Sequence, residues 1–286
     1  MEVRKITEDN VWEYSSWMGE DMAENLSRSV YRGLALFKDN EDKPSAGMVF
    51  RLKGLEGLGI LESVIEWFQS EDKESGLILL ENYSERIKKD GVEKSSFVIS
   101  VKDSAIEKTV LKEAGFSVTL TEGDNILVSL SELTDLSIMK SHKVPDSIRT
   151  LDQLMLRKYR NAILQCVLLG RTGLCEDLEE LPMSWFDTSV SCYSEKNGNV
   201  NGLILFHALP SGILSIQLMV GLDENYQAVL PGLMRKSLIS MQENYSEDTE
   251  VLLNRHNQAS LMLSENMLPR SFGMPIYVGS REEGGV

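Results

Sequence analysis

Ser96-Phe-Val-Ile-Ser-Val101, followed after a short polar gap by Glu107-Lys-Thr-Val-Leu-Lys-Glu-Ala-Gly-Phe116, is the stretch on which the fold turns. It reads as an apolar strand and then a helix that stops at Gly115. Ser104-Ala-Ile-Glu107 has the spacing of a capping box, in which a serine hydroxyl and a glutamate satisfy the free N–H groups of a helix start. The same unit returns downstream: Glu250-Val-Leu-Leu-Asn254 is a strand and Asn257 to Met267 a helix. Phe97 and Glu250 are 153 residues apart, and so are Gly59-Ile60-Leu61 and Gly212-Ile213-Leu214, which open the long strand of each half. Two separate anchors with one spacing indicate an internal duplication.

Working outward, both halves run helix, hairpin, long strand, helix, strand, helix, strand. In the first, the apolar spacing predicts a helix over Asp9–Leu26, strands over Tyr31–Phe37, Ala46–Leu52 and Gly59–Phe68, and a helix over Ser75–Asp90 closed by Gly91. A hairpin is expected from Phe116–Leu120 and Ile126–Leu130 around Glu122-Gly-Asp-Asn125. Thr134 to Ser147 reads as a linker or an entry strand. In the second half, Thr150-Leu-Asp-Gln153 is a capping box opening a helix to about Leu169. Strands Asp187–Tyr193 and Val200–Ala208 turn at Lys196-Asn-Gly-Asn199. Strand Ile213–Val220, a helix from Pro231 to Glu243 and a final strand Pro275–Gly279 complete the half. The expected fold class is α/β, a mixed sheet flanked by helices, in two tandem domains, 1–136 and 137–286.

Length and charge agree with two domains of ordinary globular composition: 286 residues, 42% hydrophobic and 26% charged. The net charge is −15, with −11 before Ser137 and −4 after it. Such a surface repels phosphate backbones, so nucleic acid is not an expected partner. No apolar run approaches the roughly 20 residues that cross a bilayer, and Met1–Ile6 has no apolar leader core, so a cytoplasmic protein without a membrane partner is expected. Cys166, Cys175 and Cys192, with His142, His207 and His256, match neither a disulfide framework nor a zinc site, so no metal is expected.

The strand–helix–Gly-Phe unit at 96–116, its copy at Val251–Met267 with Asn257 opening the helix, and the repeated element order resemble the Gcn5-related N-acetyltransferase (GNAT) fold. The resemblance covers nearly the whole chain, twice. It implies an acyl-CoA-dependent N-acyltransferase, with acetyl-CoA or another acyl-CoA as co-substrate and a small-molecule or peptide amine as acceptor. It also implies two central strands that part to admit the pantetheine arm, and a helix N-terminus that meets the pyrophosphate. Self-association into a homo-oligomer is compatible with the sequence.

The family's phosphate-loop signature is Gln or Arg, two residues, Gly, one residue, then Gly or Ala. The first half fails it: with Gly76 at the final glycine, Glu71, Asp72 and Glu74 place carboxylates where an anion would bind. The second half keeps Gln227-Ala-Val-Leu230-Pro-Gly232, with Leu230 at the central glycine and Pro231 either removing an N–H or starting the helix. Arg235 and Lys236 either add positive charge or face solvent. The resemblance therefore assigns the cofactor to the second domain, on Met219, Val220, Gln227, Ala228, Leu230, Gly232, Leu233 and Asn257. The first domain is a degenerate copy.

No catalytic acid or base follows from the residues. The family's helix tyrosine falls on Leu111 and Ser264; its strand glutamate is present as Glu62 and Glu66 but is Ser215 in the second half. Ser264 and His207 remain candidates for proton transfer. The alternative to an enzyme is a non-catalytic ligand-binding or assembly protein of the same fold.

Overall fold

The computed structural model describes residues 1–283 apart from 40, 56–59, 102–104, 142, 224–225, 256, 258–259, 262–263, 266–267 and 269–270, with backbone alone at 55, 60, 141 and 226–228. Gly59 and Ser104, used above as a repeat anchor and a cap, lie outside the described residues. The chain divides by contact into two compact units, Met1–Gly123 with Met274–Val286, and Asp124–Gly273.

The first unit is built on a seven-stranded sheet in the order β1-β2-β3-β4-β5-β13-β6. Its strands are β1 (Glu2–Ile6), β2 (Tyr31–Phe37), β3 (Pro44–Leu55), β4 (Ile60–Ser70), β5 (Lys94–Ser100), β6 (Thr119–Glu122) and, from the far end of the chain, β13 (Pro275–Glu282). Helices α3 (Lys73–Lys89) and α4 (Ala105–Glu113) cover one face over Met48, Ile65, Leu79, Tyr83 and Phe97. The other face carries Val11, Tyr14, Met18 and Val49 beneath a 3-10 turn (Val11–Tyr14), α1 (Ser15–Met18) and α2 (Glu20–Leu26). The single helix expected over Asp9–Leu26 is thus three short pieces. Gly19, at φ +89°, breaks it, because a helix does not continue through that backbone.

The second unit has six strands in the order β7-β12-β11-β10-β9-β8. These are β7 (Asn125–Ser129), β8 (Ile148–Thr150), β9 (Cys192–Lys196), β10 (Asn199–Ala208), β11 (Leu214–Gly221) and β12 (Glu250–Asn254). Helix α8 (Tyr226–Asn244) packs with α5 (Leu130–Thr134) over Ile204, Phe206 and Val251. Helix α7 (Leu156–Leu168) lies over Leu203, Leu205 and Leu218 on the opposite face. The stretch read as a linker begins within α5, which Ser129 and Glu132 cap reciprocally, and holds α6 (Ser137–Ser141). Thr150 makes no side-chain cap: a 3-10 turn (Leu151–Gln153) follows it, and α7 starts only at Leu156. The β9–β10 turn is tighter than expected and centres on Asn197 and Gly198, both at positive φ, as a two-residue hairpin requires.

Two strands depart from the expected domain boundary at 136/137. The hairpin expected around Glu122–Asn125 does not form. β6 pairs with β13 instead, and β7 pairs antiparallel with β12 in the other sheet. No residue there adopts the positive φ of a tight turn, and Ile126 and Val128 are buried beneath the α8 layer, whereas every residue of β6 is exposed. β13 meanwhile enters between β5 and β6, matching Glu282↔Lys94 to Ile276↔Ser100 on one side.

The duplication is visible in the sheets through β-bulges. β4 skips Glu66 against β3 between Val49 and Phe50; β11 skips Gln217 against β10 between Leu205 and Phe206. Aligned on the bulges, Glu66 and Gln217 are 151 residues apart, so the single spacing of 153 is not kept along the long strand. A bulge inserts one unpaired residue and fixes local register more firmly than similarity of apolar residues does.

Gly279 in β13 is where the inserted strand fits most tightly: a Cβ there would lie 1.6 Å from the Ser117 carbonyl oxygen. Gly279→Val is expected to destabilise the first unit by about 1–3 kcal/mol as overpacking. The check is a lower urea midpoint in fluorescence dominated by Trp12, Trp17 and Trp67, with the second unit followed separately through Trp185.

Candidate active site

Parallel strands in each sheet meet briefly and then part. In the first unit β4 and β5 pair from Glu62↔Lys94 to Ile65↔Phe97, next to the Glu66 bulge. Tyr83 of α3 closes the junction, its hydroxyl bonded to Ser63 Oγ at 2.7 Å and Ser95 Oγ at 3.2 Å. Burial pushes the Tyr83 phenol up to about 12. In the second unit only Leu214↔Val251 and Ser215↔Leu252 pair, just before the Gln217 bulge. Beyond each junction one edge of the long strand is open.

Backbone parity shows which groups face that edge. In β4, the Glu71 N–H donates to Ser45 O on the β3 side, so Ser70 and Phe68 face the opening. In β11, the Leu222 N–H donates to Asn201 O on the β10 side, so Gly221 and Met219 face it. The bulge alignment makes Ser70 the equivalent of Gly221, and the side chains that bond these two positions are of opposite charge. Ser70 N–H is held by Glu107 Oε1 at 2.9 Å, from a buried side chain of α4. The Gly221 carbonyl accepts from Arg171 Nη1 at 2.7 Å. Arg171 had no signal in the sequence, because it follows α7 and reaches β11 only through the fold.

The first unit closes its own helix start. Asp72 caps α3 by accepting from the Ser75 N–H at 2.9 Å and pairs with Lys38 at 2.8 Å. Lys38 and then the Ser75 N–H hold the Asp72 carboxyl down at about 2. Gly76, assigned by alignment to the end of a phosphate loop, serves helix packing: a Cβ there would meet both Val110 methyls at 3.0 Å. Glu62 pairs with Lys94 at 3.4 Å and Glu66 with Arg51, so both strand glutamates are neutralised by cations. Leu111 is wholly buried. These residues do not fit a pyrophosphate.

In the second unit Met219 and Val220 lie on β11, with Met219 at the open edge and Val220 packed on the α7 side. Gln227 and Ala228 fall in the first turn of α8, where N–H groups have no intrahelical acceptors. The helix starts at Tyr226 rather than at Pro231, which is inside it and withholds the donor that the Gln227 carbonyl would otherwise receive. Leu230 packs at the edge of the α8 core, Leu233 is wholly buried there, and Gly232 faces Ile148, whose Cδ1 would be 2.6 Å from an added Cβ. Leu230, Gly232 and Leu233 thus sit a turn or more beyond the helix start. Arg235 and Lys236 are half-buried rather than fully exposed. Asn257 Oδ1 accepts from the Ser260 N–H at 2.9 Å; most of the helix expected from Asn257 to Met267 lies outside the described residues. The segment after α7 also touches the open edge: Leu174 N–H donates to Gln217 O at 2.9 Å, and Gly173, at φ +64°, has room for no side chain there.

Neither proton-transfer candidate is poised. The Ser264 hydroxyl donates to Leu261 O at 2.9 Å and accepts from Arg255 Nε at 3.0 Å. His207 is buried, stacked on Trp185 at 3.7 Å, and its Nδ1 donates to Trp185 O at 2.6 Å, which suits a wall of the α7-side layer. Ser215 is buried against Gln217 Nε2 at 2.9 Å. The three cysteines are buried thiols outside any disulfide, and the described residues contain no cluster that could hold a metal. No described helix is long and apolar enough to cross a membrane.

Glu107→Ala leaves the Ser70 N–H without its acceptor and is expected to cost about 1–3 kcal/mol, with Glu107→Gln recovering most of it; urea unfolding of the two variants checks this. Asp72 titrates lower in the folded chain than in the unfolded one. Its contribution is therefore complete above about pH 4 and is lost as pH falls towards about 2. Asp72→Asn should flatten the fall in urea midpoint over that window.

No protein-family model and no curated protein sequence matches the chain. Solved structures do. A tandem GNAT protein from the clavulanic acid biosynthesis pathway superposes at TM-score 0.63 with 11% identity, covering 100% of both chains. A conserved protein of unknown function from Bacteroides thetaiotaomicron gives 0.56 at 8% identity, covering 98% of this chain and 99% of the other. A probable N-acyltransferase from Enterococcus faecalis gives 0.52 at 10% identity, covering 98% of this chain and 72% of its own. With two mixed sheets, each opening beside a bulge on its long strand, the chain has the tandem Gcn5-related N-acetyltransferase fold.

Proposed function

We propose that the protein is an acyl-CoA-dependent N-acyltransferase whose second unit binds the co-substrate. The observation that carries this reading is the open edge of β11, with Met219 facing it between the Gln217 bulge and the Arg171-bonded Gly221. Backbone groups at Met219 would accompany the pantetheine arm, with Val220 paired to β10 behind it. The first-turn N–H groups at Gln227 and Ala228 would meet the pyrophosphate, assisted by the Arg171 guanidinium. Leu230, Gly232 and Leu233 would support the helix from its packed side, and Asn257 would fix the start of the last helix. The bound thioester supplies the acyl group. The protein's own part is to align an amine against it, a contribution that proximity alone makes large.

The first unit does not share this role, since Glu107 and Asp72 fill the equivalent places with negative charge. A non-catalytic protein of the same fold is the second reading, favoured by the engaged hydroxyl of Ser264 and the stacked ring of His207.

Calorimetric titration of the full chain with acetyl-CoA separates them. Binding below about 1 mM, weakened about tenfold by Ala228→Glu, is expected, because a carboxylate at the helix start opposes phosphate. Absence of binding at that concentration would sink the acyltransferase reading. Binding without thiol release in the presence of amines would favour the second.

A further inference from the structure

Positive charge in this acidic chain converges on a place unrelated to either strand opening. A cavity of about 720 Å³ in the first unit is lined by Lys5 at the end of β1, Arg28 after α2, Arg32 on β2, and Arg86 and Lys89 at the end of α3. Against these five cations the lining holds two acids, Glu8 and Asp90, a local charge of +3 in a chain of −15. Asp90 is engaged by Arg32 at 2.6 Å. Lys5, Arg86 and Lys89 have no ion-pair partner among the described residues. Ile6, Leu26, Leu34 and Phe50 stand behind the charged residues, each almost wholly buried. Gly33 lets this layer close: a Cβ there would lie 2.8 Å from Ile6 Cβ.

The helix dipole accounts for part of this, since cations favour a helix C-terminus. It does not account for Lys5, which comes from β1 and has no such reason to be there. Like charges brought together repel unless an anion joins them. The volume is that of a small-molecule site, and guanidinium groups match phosphate oxygens in paired hydrogen bonds.

We propose that this cavity binds a small organic phosphate, its anionic group on Arg86, Lys89 and Lys5. The site lies at the end of α3 opposite the Asp72 cap, so it is distinct from the acyl-CoA reading and independent of it.

Adenosine monophosphate is the probe, titrated into the full chain by calorimetry at low and at physiological salt. Binding below about 1 mM at low salt is expected, weakening as salt screens the cations. The double variant Arg86→Gln/Lys89→Gln should weaken it about tenfold with an unchanged urea midpoint, the scale of losing charge-assisted hydrogen bonds. Ala228→Glu should leave it unchanged. No heat at about 10 mM, or equal binding by the double variant, overturns the proposal. So does inorganic phosphate binding as tightly as the nucleotide, because the organic part of the ligand would then contribute nothing.

Discussion

The parting of two parallel strands beside a bulge is the constraint around which each unit is arranged. A parallel pair needs a crossover of a dozen or more residues, which α3 and α8 supply. The bulges at Glu66 and Gln217 then twist the long strand away from its neighbour. The result is an open edge carrying backbone donors and acceptors, and buried groups of that kind must find partners. What differs between the units is what each provides there.

In the first unit the partner is internal and negative. Glu107 reaches from α4 to Ser70, and Asp72 caps α3 while neutralised by Lys38. Such bonds replace what a ligand would supply and make the helix start unfavourable for another anion. In the second unit Arg171 and Leu174 hold the two flanking carbonyls and leave Met219 at the edge between them. One fold, used twice, thus presents an anion at the helix start of one unit and a cation at the end of the long strand of the other. Asymmetry of this kind requires only a few side chains, because the shared backbone already gathers the groups.

The strand exchange at the middle and end of the chain follows from burial rather than from turns. Ile126 and Val128 alternate with polar residues and need an apolar layer, which the α8 side of the second sheet supplies. β6, exposed throughout, gains its pairing from β13, where Gly279 leaves space for the Ser117 carbonyl. Neighbouring segments therefore join different sheets, and the final strand returns to the first.

Local chemistry determined much of this protein in advance. Apolar alternation placed β2, β3, β4, β5, β10 and β11 within a few residues, Gly91 and Gly115 ended their helices, and the repeated strand–helix unit carried the fold. Those signals act over one or two turns, so they are legible in a linear chain. The missing information was long-range. No periodicity says that β13 enters a sheet begun more than 170 residues earlier, that Glu107 reaches Ser70, or that Arg171 meets Gly221. Nor does the sequence show that Gly76 and Gly232 face Val110 and Ile148, or that five cations from separate segments share one cavity. Each of these depends on which surfaces the packed chain brings together, and burial and charge choose among partners that sequence spacing does not connect.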